Sequence, residues 1–262
     1  MKDRADKVIV NRGLADDQHK AQALIMEGLI FSEGKRIEKP GQKISTNQNI
    51  SIKEKMPYVG RGGLKLEEAL DTFKISVRGK VAADLGASTG GFTDCLLQRN
   101  VKKVYAVDVN TKQIDWNIRN NSRVILLNKN ARYLSKVDFQ ENLDLTTMDV
   151  SFISVLKIFP AIKTFLGHGI LLSLIKPQFE AKQNQVGEKG IIRNPEMHEA
   201  VLNKLIREAV TMGFKLKGLR KLSLRGQKGN QEFFAYYSLK EGYSEIKKIQ
   251  TLIKETVWNE KN

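Results

Sequence analysis

The sequence predicts an α/β protein, with a mostly parallel, seven-stranded sheet preceded by a small α+β unit. Two observations indicate this class. From residue 64 onward, near-continuous apolar runs alternate with segments of helical length. Such alternation is typical of βαβ units, in which parallel strands are covered on both faces by helices. The first 55 residues carry two short helical patterns and then short strand-like pieces separated by turns.

The N-terminal segment, residues 1–55, predicts a small folded unit. Residues 5–12 start a short helix, and residues 20–27 form a second one that Gly28 terminates. Glu33-Gly34 is a hairpin turn between two strand-like pieces. A unit of this size is too small to be an enzyme with a pocket, so we interpret it as a binding module.

The stretch 53–63 (KEKMPYVGRGG) is basic and punctuated by proline and glycine. It predicts a linker, placed at 56–63, between this unit and a larger domain at 64–262. In the larger domain, Asn194 and Pro195 are typical of the N-cap and first position of a long helix. The predicted strands lie at 81–87, 103–109, 123–128, 143–151, 169–177, 215–225 and 232–239. The predicted helices lie at 64–73, 91–99, 111–121, 154–165, 195–212 and 243–258.

Composition excludes several classes of protein. Hydrophobic residues make up 41% and charged residues 28% of the 262 positions, the mixture of a globular protein. The single cysteine, Cys95, excludes a disulfide scaffold and an all-cysteine zinc site. The three histidines are scattered, so no metal site is expected. No apolar run approaches the ~20 residues of a membrane span. The N-terminus has no signal-peptide core, and we therefore expect a cytoplasmic protein without a membrane partner.

The charge of the chain favours a polyanionic partner. Lys and Arg number 44 against 29 acidic residues, a net charge of +15 spread along the whole sequence. A field of this sign attracts nucleic acid. An anionic membrane surface, or a lysine-rich composition that only keeps the protein in solution, are the alternatives that charge alone leaves open.

A glycine-rich turn from Asp84 to Phe92 follows the first strand of the larger domain. Small residues there let a ligand approach the backbone and the helix N-terminus closely. The turn matches neither the dinucleotide fingerprint nor the phosphate-binding P-loop. Asp108 ends the next strand, where a carboxylate can accept hydrogen bonds from a ribose diol or cap the following helix. Together the two features favour a nucleoside site.

Residues 84–94 (DLGASTGGFTD) resemble the S-adenosylmethionine motif of FtsJ-like methyltransferases. The N-terminal unit is similar to an S4 RNA-binding domain in its NRGLAD, AQALIMEG and KPGQ segments, although Asp17-Gln18 stands where that domain usually carries Ser-Arg. Four further segments resemble the TlyA or haemolysin-A family of ribosomal RNA ribose 2′-O-methyltransferases: YVGRGGLKL (58–66), MDVSFIS (148–154), IKPQFE (175–180) and GNQEFF (229–234).

This resemblance implies a Rossmann-like methyltransferase domain, S-adenosylmethionine as cofactor, and ribosomal RNA or ribosomal subunits as partner. It implies the transfer of a methyl group to a ribose 2′-hydroxyl, with cytidine as the family's usual target. The oligomeric state stays open, with a monomer favoured. The cofactor contacts that the resemblance and the turn imply are Asp84, Gly86, Ser88, Gly90, Gly91, Asp108 and Asn130. Asn130 is equally typical of a turn residue.

The family's catalytic Lys-Asp-Lys-Glu tetrad corresponds here to Lys65, Asp149, Lys176 and Glu232. Asp149 and Lys176 end apolar strands, at the edge where open α/β sheets bind ligands. Lys176 is the candidate general base. A free lysine has a pKa of about 10.4, which burial and Lys65 would lower and the two carboxylates would raise. The carboxylates are therefore expected to orient the amines and the ligand. Two ordinary ion pairs are the alternative interpretation.

Basic residues in both parts of the chain are candidate phosphate contacts. A basic run beside Glu232 is formed by Lys217, Arg220, Lys221, Arg225 and Lys228. A polar, glycine-containing loop at 182–193 could order on RNA or be an ordinary surface loop. Two other functions stay open, a haemolysin-like membrane-lytic protein and a non-catalytic RNA-binding or ribosome-assembly factor. The candidate RNA-binding residues are Arg12, Lys20, Lys53, Lys55, Arg61, Arg220, Lys221 and Arg225.

Overall fold

The computed structural model describes residues 1–53, 56–240 and 245–259. It divides into two compact units, Met1–Met56 and Pro57–Asn262. Lys55, one of the candidate RNA contacts, lies outside the described residues.

The N-terminal unit packs two helices against short strands. Strands β2, β3 and β5 form one antiparallel sheet, and β1 pairs with β4 in another. The predicted turn at Glu33-Gly34 is confirmed, because it joins β2 to β3 with both residues at positive φ. Its elements are β1 (Lys2–Arg4), α1 (Ala5–Asn11), α2 (Gln18–Met26), β2 (Ile30–Ser32), β3 (Lys35–Arg36), β4 (Lys43–Ser45) and β5 (Ile50–Ile52).

The second unit is an α/β layer structure. Its strands are β6 (Val81–Leu85), β7 (Lys103–Asp108), β8 (Val124–Asn128), β9 (Leu145–Met148), β10 (Ile170–Ile175), β11 (Lys215–Lys221) and β12 (Phe233–Ser238). Its helices are α3 (Gly62–Thr72), α4 (Gly91–Gln98), α5 (Trp116–Arg119), α6 (Phe159–Phe165), α7 (Pro177–Glu180), α8 (Pro195–Thr211) and α9 (Ile246–Trp258).

Within the described residues the sheet has seven strands in the order β11-β12-β10-β9-β6-β7-β8. The strands from β10 to β8 are parallel, whereas β12 is antiparallel to both of its neighbours. Apolar clusters cover the sheet on both faces, and every residue of β6 is buried. The predicted fold class is confirmed. Because β6, β9 and β10 are parallel neighbours, the residues that follow them meet at one edge of the sheet.

Some predicted boundaries differ from the structure. The helix expected at 111–121 is a single 3₁₀ turn followed by the four-residue α5. The break occurs at Asp115, whose side chain accepts a hydrogen bond from Asn117 N and starts a new helix. Helix α3 begins at Gly62 rather than Leu64. Asn194 caps α8 as predicted, by accepting from Glu196 N at 2.9 Å.

Candidate active site

The ends of three adjacent parallel strands position the site. Gly86 follows β6, Asp149 follows β9 and Lys176 follows β10. Gly86 has φ +81°, and a Cβ atom there would lie 2.4 Å from the carbonyl oxygen of Asp149. Glycine alone adopts a positive φ readily and has no Cβ atom to collide with this carbonyl oxygen. The turn after β6 is therefore packed directly against the backbone that carries the Asp149 carboxylate.

Two lysine–carboxylate pairs line the same cavity, which has a volume of about 660 Å³. Lys176 Nζ lies 2.5 Å from Asp149 Oδ1, and it donates a hydrogen bond to Ser151 Oγ at 2.9 Å. Lys65 Nζ lies 2.6 Å from Glu232 Oε2. The structure thus brings the four residues of the predicted tetrad to one cavity, as two separate ion pairs.

The Lys65–Glu232 pair is the more deeply buried of the two. Lys65 is 9% exposed and Glu232 is 3% exposed. Gly226 packs against the Glu232 carboxylate, and a Cβ at that position would lie 2.5 Å from Oε1. The two buried charges stabilise each other, because a buried ionised side chain without a partner of opposite charge is energetically costly.

The glycine-rich turn starts helix α4 and forms one wall of the cavity. Gly86, Ser88 and Gly91 line the cavity, and Gly90 is the left-handed N-cap residue of α4. A Cβ at Gly91 would lie 3.2 Å from the carbonyl oxygen of Gly60, so the preceding segment passes close over the helix start. The backbone amides at this helix N-terminus suit the carboxylate or phosphate end of a ligand.

The structure places Asp84 beneath the turn rather than in the cavity. Its carboxylate is fully buried and accepts hydrogen bonds from Thr93 Oγ1 at 2.7 Å and Thr147 Oγ1 at 3.1 Å. Burial raises the pKa of Asp84 to about 7, and the two threonine hydroxyls oppose that rise. Asp84 therefore ties α4 and β9 to β6, and it is not among the residues that line the cavity.

The other two predicted cofactor contacts follow β7 and β8. Asp108 is half-buried, and its carboxylate accepts from Ser88 N at 2.9 Å and from Asn110 N at 2.9 Å. It thereby joins the glycine-rich turn to the loop after β7. Asn130 is exposed, and its Oδ1 accepts from Arg132 N at 3.0 Å. Asn130 thus makes the contact of a turn residue, the alternative that its sequence left open.

Residues 57–63, within the 56–63 segment predicted to be a linker, pack onto the rest of the second unit. Tyr58 is buried and donates from its hydroxyl to Glu67 Oε1 at 2.7 Å. Val59 N donates to Asp94 Oδ2 at 2.9 Å, which ties the segment to the first turn of α4. The segment is therefore structured where it passes the cavity.

The basic run beside Glu232 is not a single surface. Arg220 and Lys221 are consecutive on β11, so their side chains leave opposite faces of the sheet. Arg220 pairs with Glu68 at 3.1 Å, and Lys221 donates to Val257 O at 3.2 Å. Neither lines the cavity. Arg220 and Lys221 are neighbours in the sequence, but the alternation of side chains along a strand places them on opposite faces of the sheet.

Three other basic residues lie at the cavity or beside it. Arg61 lines the cavity and donates to Arg225 O at 2.9 Å, which joins the 57–63 segment to the β11–β12 turn. Arg225 donates in turn to Gly229 O at 3.3 Å. Lys228, a member of the basic run that the sequence indicates beside Glu232, lines the cavity.

The basic candidates of the N-terminal unit differ in their surroundings. Arg12 donates to the carbonyl oxygens of Thr46 and Gln48, so its guanidinium is partly committed within the unit. Lys20 is exposed. Lys53 Nζ lies 4.1 Å from the centre of the Phe31 ring, a cation–π contact.

The two departures from the usual S4 pattern have structural roles. Asp17 caps α2 by accepting from Lys20 N at 2.7 Å. Gln18 donates to the buried carboxylate of Asp6 at 3.0 Å, beside Arg4, whose guanidinium holds the pKa of Asp6 well below its usual range. A glutamine at this position joins α2 to α1 without adding charge.

Sequence reasoning missed an aromatic pair at the cavity. Phe152 is 90% exposed, adopts φ +64° and lies 5.0 Å from the ring of Phe179. Gln178 also lines the cavity, and its Oε1 is buried without a hydrogen-bond partner among the described residues. The signal was present, because Phe152 and Phe179 lie within the MDVSFIS and IKPQFE segments, but neither segment shows that its aromatic side chain is exposed.

Two kinds of site are not found in the described part of the chain. No group of three or more His, Cys, Asp or Glu residues there could hold a metal ion. No helix within those residues is long and apolar enough to cross a membrane.

The fold and the cavity are those expected of an α/β methyltransferase, and comparison with known proteins identifies the family. Residues 58–238 match the model of FtsJ-like methyltransferases, and residues 3–50 match that of the S4 domain. The chain belongs to the FtsJ-like methyltransferase family, and it is an enzyme with an S4 domain at its N-terminus.

Similar proteins match along most of their length. The chain is 43% identical to "Putative rRNA methyltransferase YqxC" of Bacillus subtilis, over 90% of this chain and 85% of the relative. It is 35% identical to "16S/23S rRNA (cytidine-2'-O)-methyltransferase TlyA" of Mycobacterium tuberculosis, over 89% and 88%. A solved structure described as "Putative hemolysin from Streptococcus thermophilus" is 40% identical with a TM-score of 0.74, over 97% of this chain and 95% of that one.

Proposed function

We propose that this enzyme transfers a methyl group from S-adenosylmethionine to a ribose 2′-hydroxyl of ribosomal RNA, with cytidine as the modified nucleotide. The observation that carries the proposal is the convergence of two lysine–carboxylate pairs on the cavity beside the glycine-rich turn. The nucleotide is proposed from the TlyA relative, whose name states that it acts on cytidine in 16S and 23S rRNA. A ribosomal substrate would place the reaction in the cytoplasm.

The residues at the cavity fit S-adenosylmethionine. The cofactor carries a sulfonium and an ammonium cation, and the Asp149 carboxylate lines the cavity where it can face positive charge. Asp108 lies at the end of β7, where a carboxylate can hold a ribose diol. The Oε1 atom of Gln178, which has no hydrogen-bond partner in the described part of the chain, is a further acceptor for an N–H group. We propose Gly86, Ser88 and Gly91 as the backbone surface that the cofactor approaches, and Asp84 and Gly90 as the support beneath it.

The chain's own groups supply the proton chemistry. S-adenosylmethionine, when bound, supplies an electrophilic methyl group. The 2′-hydroxyl must lose its proton as its oxygen attacks, and neutral Lys176 is the proposed acceptor of that proton. Asp149 and Ser151 hold the Lys176 amine in place through its two N–H groups. The nitrogen lone pair then remains for the proton of the ribose hydroxyl. Positioning supplies much of the rate in such an in-line displacement.

Lys65 and Glu232 shape the polar side of the cavity. Both groups are buried and line the cavity, so they present a fixed pair of charges rather than mobile side chains. We propose that Lys65 Nζ orients the ribose and that Glu232 fixes Lys65. A preorganised donor of this kind pays no reorganisation cost during the reaction.

RNA binding is proposed for both units. The domain organisation we propose keeps residues 1–55 as the RNA-binding domain, 56–63 as the connecting segment and 64–262 as the catalytic domain. At the cavity, Arg61 and Lys228 are the proposed phosphate contacts, which position RNA without reading its sequence. Phe152 and Phe179 offer an exposed aromatic face on which an unstacked base can lie. The remaining candidates are Arg12, Lys20, Lys53, Lys55, Arg220, Lys221 and Arg225, of which Arg220 and Lys221 already have partners within the catalytic unit.

Transfer of labelled methyl from S-adenosylmethionine to unmodified ribosomal subunits tests the proposal. We expect label in ribosomal RNA, and digestion of that RNA should release the label only as a 2′-O-methylated nucleoside. With Lys176→Ala we expect no label. The matched control is Lys254→Ala, which removes one exposed lysine from α9. Cofactor binding by Lys176→Ala should stay within a few-fold of wild type. Cofactor binding without label on any RNA would favour the non-catalytic assembly factor.

The membrane-lytic alternative is tested with liposomes. The solved relative is described as a "Putative hemolysin", and this description is the observation that keeps the alternative open. Leakage of a dye from anionic vesicles that is equal for wild type and Lys176→Ala would support a lytic activity independent of methyl transfer. We expect no leakage above that of a basic control protein.

A further inference from the structure

The loop after β9, residues 149–155, is held from two sides by residues that follow β10. On the cavity side, Lys176 contacts Asp149 and Ser151. Four residues further on, at the end of α7, Glu180 Oε1 accepts a hydrogen bond from Val155 N at 2.9 Å. The same short stretch of chain therefore contacts both ends of the 149–155 loop.

The 149–155 loop adopts a backbone conformation that needs such support. Phe152, at its centre, has φ +64° and is 90% exposed. A left-handed conformation is strained for a bulky residue and persists only where the surroundings fix it. The ring of Phe152 lies 5.0 Å from that of Phe179, but with 90% of the residue exposed this contact buries too little of it to fix the loop. Asp149 N donates to Leu85 O at 2.9 Å at one end of the loop. At the other end, Glu180 provides the side-chain acceptor.

Glu180 is not used by the proposed mechanism. It is half-buried, does not line the cavity, and has no ion pair among the described residues. Burial raises the pKa of Glu180, and the charges that face it from α8 are Lys204 and Glu208. A carboxyl oxygen accepts a hydrogen bond from a backbone N–H in either protonation state. Holding the Val155 amide is thus compatible with either state of the group.

We propose that Glu180 is a positioning residue, which fixes the strained 149–155 loop through Val155 N and so keeps Ser151 in contact with Lys176. The inference rests on the proposed function, in which Lys176 is the general base. It gives a role to the acid that the IKPQFE segment carries four residues after the lysine, although that acid does not line the cavity. Glu180 acts through Ser151 and touches neither cofactor nor RNA.

The test compares Glu180→Gln, which keeps the acceptor oxygen, with Glu180→Met, which keeps the length and removes the acceptor. Amide exchange of Val155 by NMR is the first readout, and it needs no activity. We expect exchange at least about tenfold faster in Glu180→Met and near wild type in Glu180→Gln, because a side-chain hydrogen bond protects this amide. Glu255→Ala, an exposed acid on α9, is the control. Should Glu180→Met fail to fold, Glu180→Ala replaces it.

Methyl transfer is the second readout. In Glu180→Met we expect kcat to fall about 10- to 100-fold with the cofactor Kd unchanged within twofold, and Glu180→Gln to restore kcat. The double variant Glu180→Met/Ser151→Ala should be no slower than the slower single variant, since both changes act through the placement of Lys176. Additive losses, an unchanged Val155 exchange rate, or a glutamine variant as slow as the methionine variant would each overturn the proposal. A wild-type enzyme that methylates no RNA would refute the proposed function instead. The exchange rate of the Val155 amide would still measure the hydrogen bond between Val155 N and Glu180.

Discussion

Lys65 Nζ and Glu232 Oε2 lie 2.6 Å apart, although 167 positions separate the two residues in the sequence. The first residue of the pair belongs to α3 and the second precedes β12, so folding of the whole catalytic unit assembles this contact. Because both side chains are almost inaccessible to water, each is costly without the other.

Removal of one partner of this pair should destabilise the protein. We expect Glu232→Gln to lower the free energy of unfolding by about 3 kcal/mol, since it leaves a buried ammonium without a counter-charge. Urea unfolding measures this. The double variant Lys65→Met/Glu232→Leu should recover most of the stability and none of the methyl transfer. A double variant as unstable as the single one would show that the charges are not the cause.

The buried Asp84 predicts a pH-dependent stability. Its pKa is raised to about 7 in the folded protein, so between its unfolded value of about 3.9 and pH 7 the folded state binds the extra proton. Its contribution is therefore fully present below the unfolded pKa and is lost as the pH rises through 7. Asp84→Asn removes this loss. The stability of Asp84→Asn relative to wild type should rise by about 2 kcal/mol between pH 5 and pH 8.

Thermal unfolding of both proteins at the two pH values checks this prediction. A constant difference would contradict a folded-state pKa near 7 for Asp84. Cofactor affinity is a second check on where Asp84 lies. Because its carboxylate contacts Thr93 and Thr147, Asn should leave the cofactor Kd within a few-fold of wild type, whereas a direct contact with a cofactor cation would be strongly weakened.

Gly86 and Gly79 form a matched pair for testing the close approach to Asp149. Both have positive φ, +81° and +70°, but a Cβ at Gly79 would meet nothing within 4 Å. Alanine at Gly79 should therefore cost only the backbone strain, about 1 kcal/mol. Alanine at Gly86 must also displace the Asp149 carbonyl, and we expect methyl transfer to fall more than 100-fold. Equal activity of the two variants would contradict the role given to this contact.

Phe152 should matter for RNA and not for stability. Because its side chain is 90% exposed, Phe152→Ala should change the free energy of unfolding by less than about 0.5 kcal/mol. The KM for ribosomal RNA should rise about tenfold or more, since a stacked base is worth about 1–3 kcal/mol. Val137, also 90% exposed, provides the control variant Val137→Ala. A KM that changes equally in both variants would argue against stacking.

Much of the fold was predictable because its signals are local. Apolar runs indicated each strand of the seven-stranded sheet, and the segments of helical length between them indicated the helices. Asn194 with Pro195 indicated the start of α8. The misses are the shortest elements. Strands β1 and β4 have three residues each, too few for alternation to be visible, and α5 depends on the capping choice of Asp115.

The candidate site divides in the same way. Sequence alone indicated the four candidate catalytic residues, because they lie in segments with a family resemblance and at predicted element ends. These residues are Lys65, Asp149, Lys176 and Glu232. Only the tertiary structure decided how they pair and what surrounds them. It placed Asp84 below the turn and separated Arg220 from Lys221. It also placed the Glu180 carboxylate within hydrogen-bond distance of Val155 N, and it left the side chain of Phe152 exposed to solvent. The physical reason is that side-chain direction, burial and pairing depend on contacts between strands and helices far apart in the chain, which no local pattern encodes.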